Sequence, residues 1–298
     1  THRYTLFPYT TLFRSGITVR AARGPSVAVP AGARLVSLAP GVAGPAFDLS
    51  PEDLMEEPDM VADYRQMDAF FARQARIAEI LATPSVRLAW AGGETHVTPA
   101  ARPLTALPAV FWFQLAVAML GCLIACWVWV LRPRDWGARM FGITGLMFPF
   151  FAMSAAVYSS RELALPGDLF FVLSALNHLA SFMFGAALVG IFLSHPRPLV
   201  RPAWLAAVFL VFGLWWLADV LRIAPDLDWG NRFAVMTEML LAMVLAAVQW
   251  RRSRGAPLDR AALRWFILSM LLGSSLFILS IVASTSLGWL PPIPQGYA

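Results

Sequence analysis

Residues 109–131 read AVFWFQLAVAMLGCLIACWVWVL, an uninterrupted apolar stretch that is long enough to cross a membrane. A helix that spans the hydrocarbon core of a bilayer needs about 20 mainly apolar residues, because its backbone polar groups must be hydrogen-bonded within the helix. Five further stretches of this kind follow it. The six predicted spans are residues 109–131, 140–158, 169–193, 203–221, 233–250 and 265–287. The sequence therefore predicts a mainly α, polytopic transmembrane helical bundle over residues 109–287.

The composition of the chain agrees with this prediction. Of its 298 residues, 58% are hydrophobic and only 14% are charged, and the mean hydropathy is +0.63. These values are typical of a membrane protein rather than a soluble domain. The pI near 9.9 reflects arginines close to the membrane surface. No basic face is interleaved with exposed aromatic residues, so we expect no nucleic-acid partner.

The breaks between the predicted spans contain arginine unevenly. Ten arginines lie in the first, third and fifth breaks, and three lie in the second and fourth. The ten are Arg132, Arg134, Arg139, Arg197, Arg201, Arg251, Arg252, Arg254, Arg260 and Arg264. Arginines next to spans are retained in the cytoplasm. The odd breaks are therefore predicted to be cytoplasmic and to touch the bilayer. The chain contains no lysine, which is typical of a GC-rich bacterial genome, so we expect the inner membrane of a bacterium. A dedicated regulatory-lipid site is the alternative interpretation of these arginines.

Residues 16–101 are more polar and predict a small extracytoplasmic α+β domain. We expect a strand at 34–38, a helix start at Ser50, an amphipathic helix over 60–81 and a hairpin over 86–98. The arrangement resembles a PDZ-like sensor domain, which would bind a peptide along a strand edge. A structural cap without a ligand is the alternative.

The two ends of the chain are set apart from the predicted domains. Residues 1–15 contain TLFPYTTLFRS, which is similar to a translated sequencing adapter, so we expect them to be an artefact. Residues 288–298 are expected to form an outer loop before a further span that this chain lacks. We therefore expect the natural protein to extend beyond both ends.

Four polar residues fall inside or close to the predicted spans: Asn177, His178, Asp219 and Glu238. Ionisable groups in a span are costly and usually face the bundle interior, so they are functional candidates. We expect a cluster in the outer half of the bundle, in which His178 changes charge near neutral pH and Glu238 is its partner. Hydrogen bonds that merely hold the helices together are the alternative.

Motifs for catalysis and metal binding are missing from the sequence. There is no glycine-rich phosphate loop, HExxH, paired CxxC or Gly-x-Ser-x-Gly elbow, so we expect no catalytic residue, metal site or cofactor in this chain. Cys122 and Cys126 share one helix face four residues apart. We expect them to be small packing residues.

Several strings together resemble one family, the membrane input region of bacterial sensor histidine kinases of the competence-sensor type. They are residues 111–115 (FWFQL), 131–142 (LRPRDWGARMFG), 156–163 (AVYSSREL), 177–178 (NH), 192–204 (FLSHPRPLVRPAW), 260–266 (RAALRWF) and 295–298 (QGYA). The resemblance covers residue 16 to the end. It implies an outer domain, a polytopic bundle and then a cytoplasmic kinase region.

The resemblance implies a truncated signal-input module of a two-component system. The phospho-accepting histidine and the ATP-binding boxes would belong to the missing kinase region, so ATP and Mg²⁺ are expected only there. A homodimer and a response regulator are the implied partners. The alternatives are a small transporter or other membrane-embedded protein that uses His178 and Glu238, and a structural membrane subunit.

Overall fold

The computed structural model describes residues 17–19, 28–61, 63–268 and 272, and within them the chain is mainly helical with a small sheet in its N-terminal part. The strands are β1 (Ile17–Thr18), β2 (Arg34–Pro40), β3 (Phe47–Asp48), β4 (Val86–Trp90) and β5 (Gly93–Val97), and the helices are α1 (Tyr64–Leu81), α2 (Ala109–Leu131), α3 (Trp136–Ser159), α4 (Gly167–Ser194), α5 (Ala203–Val220) and α6 (Phe233–Arg252). We call β1 to β5 together with α1 and the short turns between them the N-terminal module, and α2 to α6 the bundle.

The sheet of the N-terminal module is antiparallel throughout. β2 pairs with β1 and β3 along one edge and with β4 along the other, and β4 pairs with β5. α1 covers one face of the sheet, where Leu38, Ile77, Ile80 and Val86 are at most 1% exposed. This core is apolar and closed, so burial of these side chains holds the helix to the sheet.

The strands, hairpin and cap predicted for the module match the structure, and one helix begins later than predicted. β2 contains the predicted strand, and β4 and β5 form the predicted hairpin, which turns at Gly92 with a φ of 118°. Ser50 caps a short 3₁₀ turn, Pro51–Leu54. α1 begins at Tyr64 rather than at residue 60, because the Asp63 side chain accepts a hydrogen bond from the Gln66 amide and thereby caps the helix there.

Five helices of the described chain are long and apolar enough to cross a membrane, which identifies a multi-pass membrane protein. They are α2, α3, α4, α5 and a helix that contains α6. Each matches a predicted span to within a few residues. The sixth predicted span, residues 265–287, lies mostly outside the described residues, although residues 257–268 are helical. Residues 1–15 and the predicted outer loop 288–298 lie outside the described residues as well.

α4 lies at the centre of the bundle. It packs against α3, α5 and α6, and α2 packs against the far side of α3. α2 and α3 approach closely because Gly145 faces Ala125 and a side chain at this glycine would overlap that alanine. The outward faces of α2 and α5 are apolar and exposed, as expected for helices surrounded by lipid. Cys122 and Cys126 are unpaired, with 4.0 Å between their sulfur atoms.

The N-terminal module and the arginine-rich breaks lie at opposite ends of the bundle. The module contacts the end of α3 and the beginning of α4. At the other end, Arg197 pairs with Asp259 at 3.0 Å and Gln249 donates to the Arg197 carbonyl. The third and fifth breaks therefore meet at the end of the bundle away from the module.

Candidate functional site

The candidate site is the junction at which the N-terminal module packs on the bundle. Its apolar part is a stack of aromatic rings. Phe170 of α4 is fully buried, lies 5.2 Å from the Phe70 ring of α1 and stacks on Tyr158 of α3 at 5.6 Å. The two helices come close at Gly167, where an added Cβ would lie 2.7 Å from the Phe71 carbonyl oxygen. Aromatic packing of this kind holds the module against the bundle.

Arg161, in the loop after α3, joins the module to the bundle by hydrogen bonds. Its guanidinium donates to the Tyr158 carbonyl at 2.6 Å, and to the carbonyls of Asp53 and Met55 in the module. The same guanidinium lies 4.9 Å from the centre of the Phe170 ring. A planar guanidinium with several fixed donors makes such a joint directional.

The Asp53 carboxylate is held in place from the module side. Arg73 of α1 donates to both Asp53 oxygens, at 2.6 and 2.8 Å, and Asp53 is fully buried. The hydrogen bond from Arg73 to Asp53 raises the pKa of the arginine above its usual value. This bidentate pair fixes the turn whose carbonyl groups receive Arg161.

Next to the aromatic stack lies a buried polar network centred on Asp219, at the end of α5. Its Oδ1 accepts a hydrogen bond from the Tyr64 hydroxyl at 2.6 Å, and its Oδ2 lies 2.9 Å from His178 Nδ1. Asp219 is 1% exposed and His178 is 6% exposed. Two donors on one buried carboxylate satisfy it, and one of them comes from the N-terminal module.

The other nitrogen of His178 faces the turn before α6. Asn231 Nδ2 lies 3.1 Å from His178 Nε2 and 3.2 Å from Oδ2 of Asp59, which belongs to the module. Asp59 Oδ2 itself is 3.9 Å from His178 Nε2. Since the Asp219 carboxylate can only accept, Nδ1 carries the hydrogen and Nε2 accepts from the Asn231 amide. With a neutral ring, both hydrogen bonds of His178 therefore join one donor to one acceptor.

Arg222 closes the network on its outer side. Its guanidinium lies 4.7 Å from the centre of the Tyr64 ring and donates to Asp68 of α1 at 3.2 Å. Arg222 has a φ of 58°, an uncommon conformation for a residue with a side chain. Burial first, and then the hydrogen bond to Asp219, raises the pKa of the Tyr64 hydroxyl well above its usual range, so this tyrosine remains a hydrogen-bond donor.

Gly230 makes the close packing of this network possible. A Cβ at this position would overlap both the Tyr64 hydroxyl oxygen and Asp219 Oδ1. The glycine lies in a one-turn π-helix, Asp228–Arg232, which also places Asn231 next to His178. A wide turn of this type is common at functional sites.

The structure brings two of the four predicted polar residues together and places the other two elsewhere. His178 contacts Asp219, not Glu238. Asn177, one position away on α4, donates to the Phe151 carbonyl at 3.1 Å. Glu238 is 1% exposed and packs on Gly185 of α4, and within the described residues its Oε1 has no hydrogen-bond partner.

The eight arginines predicted to be cytoplasmic lie in the breaks at the far end of the bundle from this site. They are Arg132, Arg134, Arg139, Arg197, Arg201, Arg251, Arg252 and Arg254. Arg139 lies 4.5 Å from the centre of the Trp136 ring and donates to the Pro133 carbonyl. These two contacts hold the Arg139 side chain against the first break.

Sequence reasoning missed Tyr64, Asp59, Gly230 and Asn231. Tyr64 reads as one apolar position of an amphipathic helix, and Asp59 as a loop acid. Only the Trp-Gly-Asn string at 229–231, a glycine beside an amide in a short break between spans, signals a specific turn.

Comparison with known proteins finds no protein-family match for this chain, and no curated protein or solved structure that is significantly similar to it. Among the residues described, no group of three or more His, Cys, Asp and Glu side chains could hold a metal ion.

Proposed function

We propose that this chain is the membrane input module of a bacterial sensor histidine kinase, which relays a stimulus to a kinase region beyond this chain. One observation carries the proposal: the buried His178–Asp219 pair of the bundle is completed by Tyr64 and Asp59 of the N-terminal module. A displacement of the module would remove partners from buried polar groups of α4 and α5. Leaving such groups unpaired is costly, so the bundle would have to rearrange.

α4 is the element that would transmit the change. It is 28 residues long, its first turns pack against the module, and its last turn reaches the opposite end of the bundle. There Gln249 of α6 donates to the carbonyls of Phe192 and Arg197, both at 2.7 Å. A helix is stiff along its axis, so a shift of α4 at the module end would also move the loop that follows α4 at the other end. A stimulus would thus bias two arrangements of the bundle.

The proposed orientation places residues 16–101 outside the bacterial inner membrane. It is supported by the ten arginines at the end of the bundle opposite to the module. The kinase region, its ATP and Mg²⁺, a response regulator and a homodimeric state follow from the family resemblance and are part of the same proposal. A PDZ-like peptide site in the module also belongs to it.

Sequencing the source DNA across both ends of this chain tests the proposal. The expected result is a reading frame that continues into one more span and a histidine-kinase core. A stop codon soon after residue 298 would refute it. The purified chain alone is expected to show no autophosphorylation with ATP and Mg²⁺, since the catalytic region lies beyond it.

A small transporter is the second candidate, and Glu238 is the observation that favours it. A carboxyl group buried in an apolar bundle with an unpartnered oxygen is unusual in membrane proteins and often marks an ion or proton path. The test is proton flux into proteoliposomes. Flux that is lost in Glu238→Gln and retained in Glu94→Gln, a carboxyl on the sheet of the module, would favour transport over sensing.

A further inference from the structure

His178 Nε2 faces two different groups of the surrounding network. The Asn231 amide lies 3.1 Å from it, and the Asp59 carboxylate lies 3.9 Å from it. With a neutral ring, Nε2 accepts from the amide, and the second hydrogen of the same amide goes to Asp59. Asp59 is therefore held close to the histidine through a neutral bridge rather than by direct contact.

A proton on Nε2 would reverse the hydrogen-bond polarity at this position. Both Nε2 and the Asn231 nitrogen would then be donors facing each other at 3.1 Å. The Asp59 carboxylate, which can only accept, can receive the new hydrogen without a flip of the Asn231 amide. Moving it from 3.9 Å to normal hydrogen-bond distance requires a shift of about 1 Å. That shift would draw the turn Pro58–Met60 of the module towards α4.

The charges around the ring favour this outcome. The titratable and charged groups near it are Asp219 and Arg222 from the end of α5, Asp59 from the turn before α1, and Tyr64 from α1. From the turn before α6 come the neutral Asn231 and Arg232, which donates to the Asp59 carbonyl at 2.9 Å. Arg232 is paired with Asp228 of the same turn at 2.6 Å, so this turn adds no net charge. Two carboxylates against one guanidinium leave the surroundings with one negative charge. A proton on His178 balances that charge.

We propose that this cluster is a proton-binding site, in which protonated His178 recruits Asp59 and tightens the N-terminal module onto the bundle. His178 and Asp219 belong to the bundle and Asp59 to the module, so the proton would act on the contact between the two. Only the role of the proton as a stimulus of the sensor rests on the proposed function. Proton binding and tightening stand independently of any kinase.

The first measurement follows His178 directly in the full chain in lipid nanodiscs. The chain has four histidines, and the triple variant H2Q/H96Q/H195Q leaves His178 as the sole imidazole. Nitrogen-15 NMR of the labelled ring is recorded from about pH 8 to about pH 5, the range in which histidine changes charge. The expected result is conversion of Nε2 from an acceptor to a protonated nitrogen. A ring that keeps one neutral tautomer throughout this range overturns the proposal.

The second measurement is amide hydrogen exchange of residues 59–61 and the first turn of α1, expressed as protection relative to the intrinsic rate at each pH. Acidification is expected to raise this protection about tenfold, because a hydrogen bond between charged groups stabilises the closed state by at least that factor. Asp59→Asn should abolish the increase. Glu79→Gln, which removes a carboxylate from the exposed face of α1, should retain it. Equal increases in both variants would also overturn the proposal.

These outcomes are separable from the proposed function. A stop codon after residue 298 would reject the sensor kinase and leave proton binding intact. A kinase reading frame together with a silent His178 would reject the proton site and leave the sensor kinase intact.

Discussion

Gly230→Ala is expected to break the contact between Tyr64 and Asp219 without altering either residue. The added methyl group would overlap the Tyr64 hydroxyl oxygen and Asp219 Oδ1. These two oxygens are 2.6 Å apart in a hydrogen bond, so the methyl group cannot lie beside them unless they separate. The substitution therefore acts on the junction between module and bundle.

The size of the effect follows from two opposing contributions. Loss of a hydrogen bond to a charged acceptor costs about 1.5–3 kcal/mol. Replacing glycine by alanine at an ordinary backbone position stabilises by about 0.4–1 kcal/mol, since it restricts the unfolded chain. The net expectation is a loss of about 0.5–2.5 kcal/mol in the free energy of unfolding.

The assay is reversible unfolding in mixed micelles, followed by circular dichroism. The matched control is Gly213→Ala in α5, where the nearest atom to an added Cβ is Met183 Cε at 3.9 Å. This control should have the same unfolding midpoint as the parent chain or a higher one. If Gly230→Ala and Gly213→Ala behave alike, the close packing at the junction is refuted.

A double variant isolates the tyrosine. In a Tyr64→Phe background the hydroxyl oxygen is gone, so Gly230→Ala should cost less than it does in the parent chain. A coupling of about 1 kcal/mol between the two substitutions is expected for groups in direct contact. Additive effects would show that the methyl group acts elsewhere.

Three further predictions concern other contacts. The stability advantage of the parent over Tyr64→Phe should shrink above about pH 10, because the unfolded tyrosine then ionises while burial and Asp219 keep the pKa of the folded one high. The free energies of unfolding of both proteins at about pH 8 and pH 11 measure this. An unchanged difference between the two proteins would contradict the prediction. Gly145→Val should cost about 1–3 kcal/mol through overlap with Ala125, whereas Gly121→Ala, with Phe148 Cδ1 at 3.7 Å, should be tolerated; equal unfolding of the two variants would argue against close packing of α2 on α3. Gln249→Ala removes the side-chain donor to two carbonyls and should lower stability by about 1–3 kcal/mol in the same unfolding assay. An unchanged midpoint would mean that the loop after α4 is held by other contacts.

The spans could be predicted because the length and apolarity of each helix are properties of the sequence alone. α2 covers the predicted residues 109–131 without a shift. α3 begins at Trp136 rather than at residue 140, because Asp135 accepts a hydrogen bond from the Ala138 amide and caps the helix one turn earlier. A hydropathy pattern cannot detect a polar turn of helix beyond the apolar core.

The partners of the polar residues could not be predicted in this way. Asn177 and His178 are consecutive, yet successive helix positions point about 100° apart, so one faces α3 and the other faces α5. Glu238 lies seven positions after Asn231, about 10 Å further along the helix, and is therefore out of reach of the network at Asn231. Assigning these partners requires the rotation and depth of each helix.

The depth of His178 shows the same limit most clearly. By sequence it is near the middle of a span, about 16 Å along α4 from Gly167. In the structure it lies level with the end of α5 and the start of α6, because the first turns of α4 project beyond the bundle and pack on α1. A helix longer than its neighbours can carry a polar residue at mid-length and still place it at the end of the bundle, where the N-terminal module covers it.

This placement explains why the junction combines two kinds of contact. The aromatic stack around Phe170 contributes apolar contact between the module and the bundle. This contact tolerates small displacements of the module, since apolar contact has little directional preference. The hydrogen bonds of His178 and Asp219 do not tolerate it, because a buried polar group without a partner costs more than the bond contributes when formed. The module is therefore held by the apolar contacts and aligned by the polar ones. A proton or a ligand needs to alter only the second set to change how the module sits on α4 and α5.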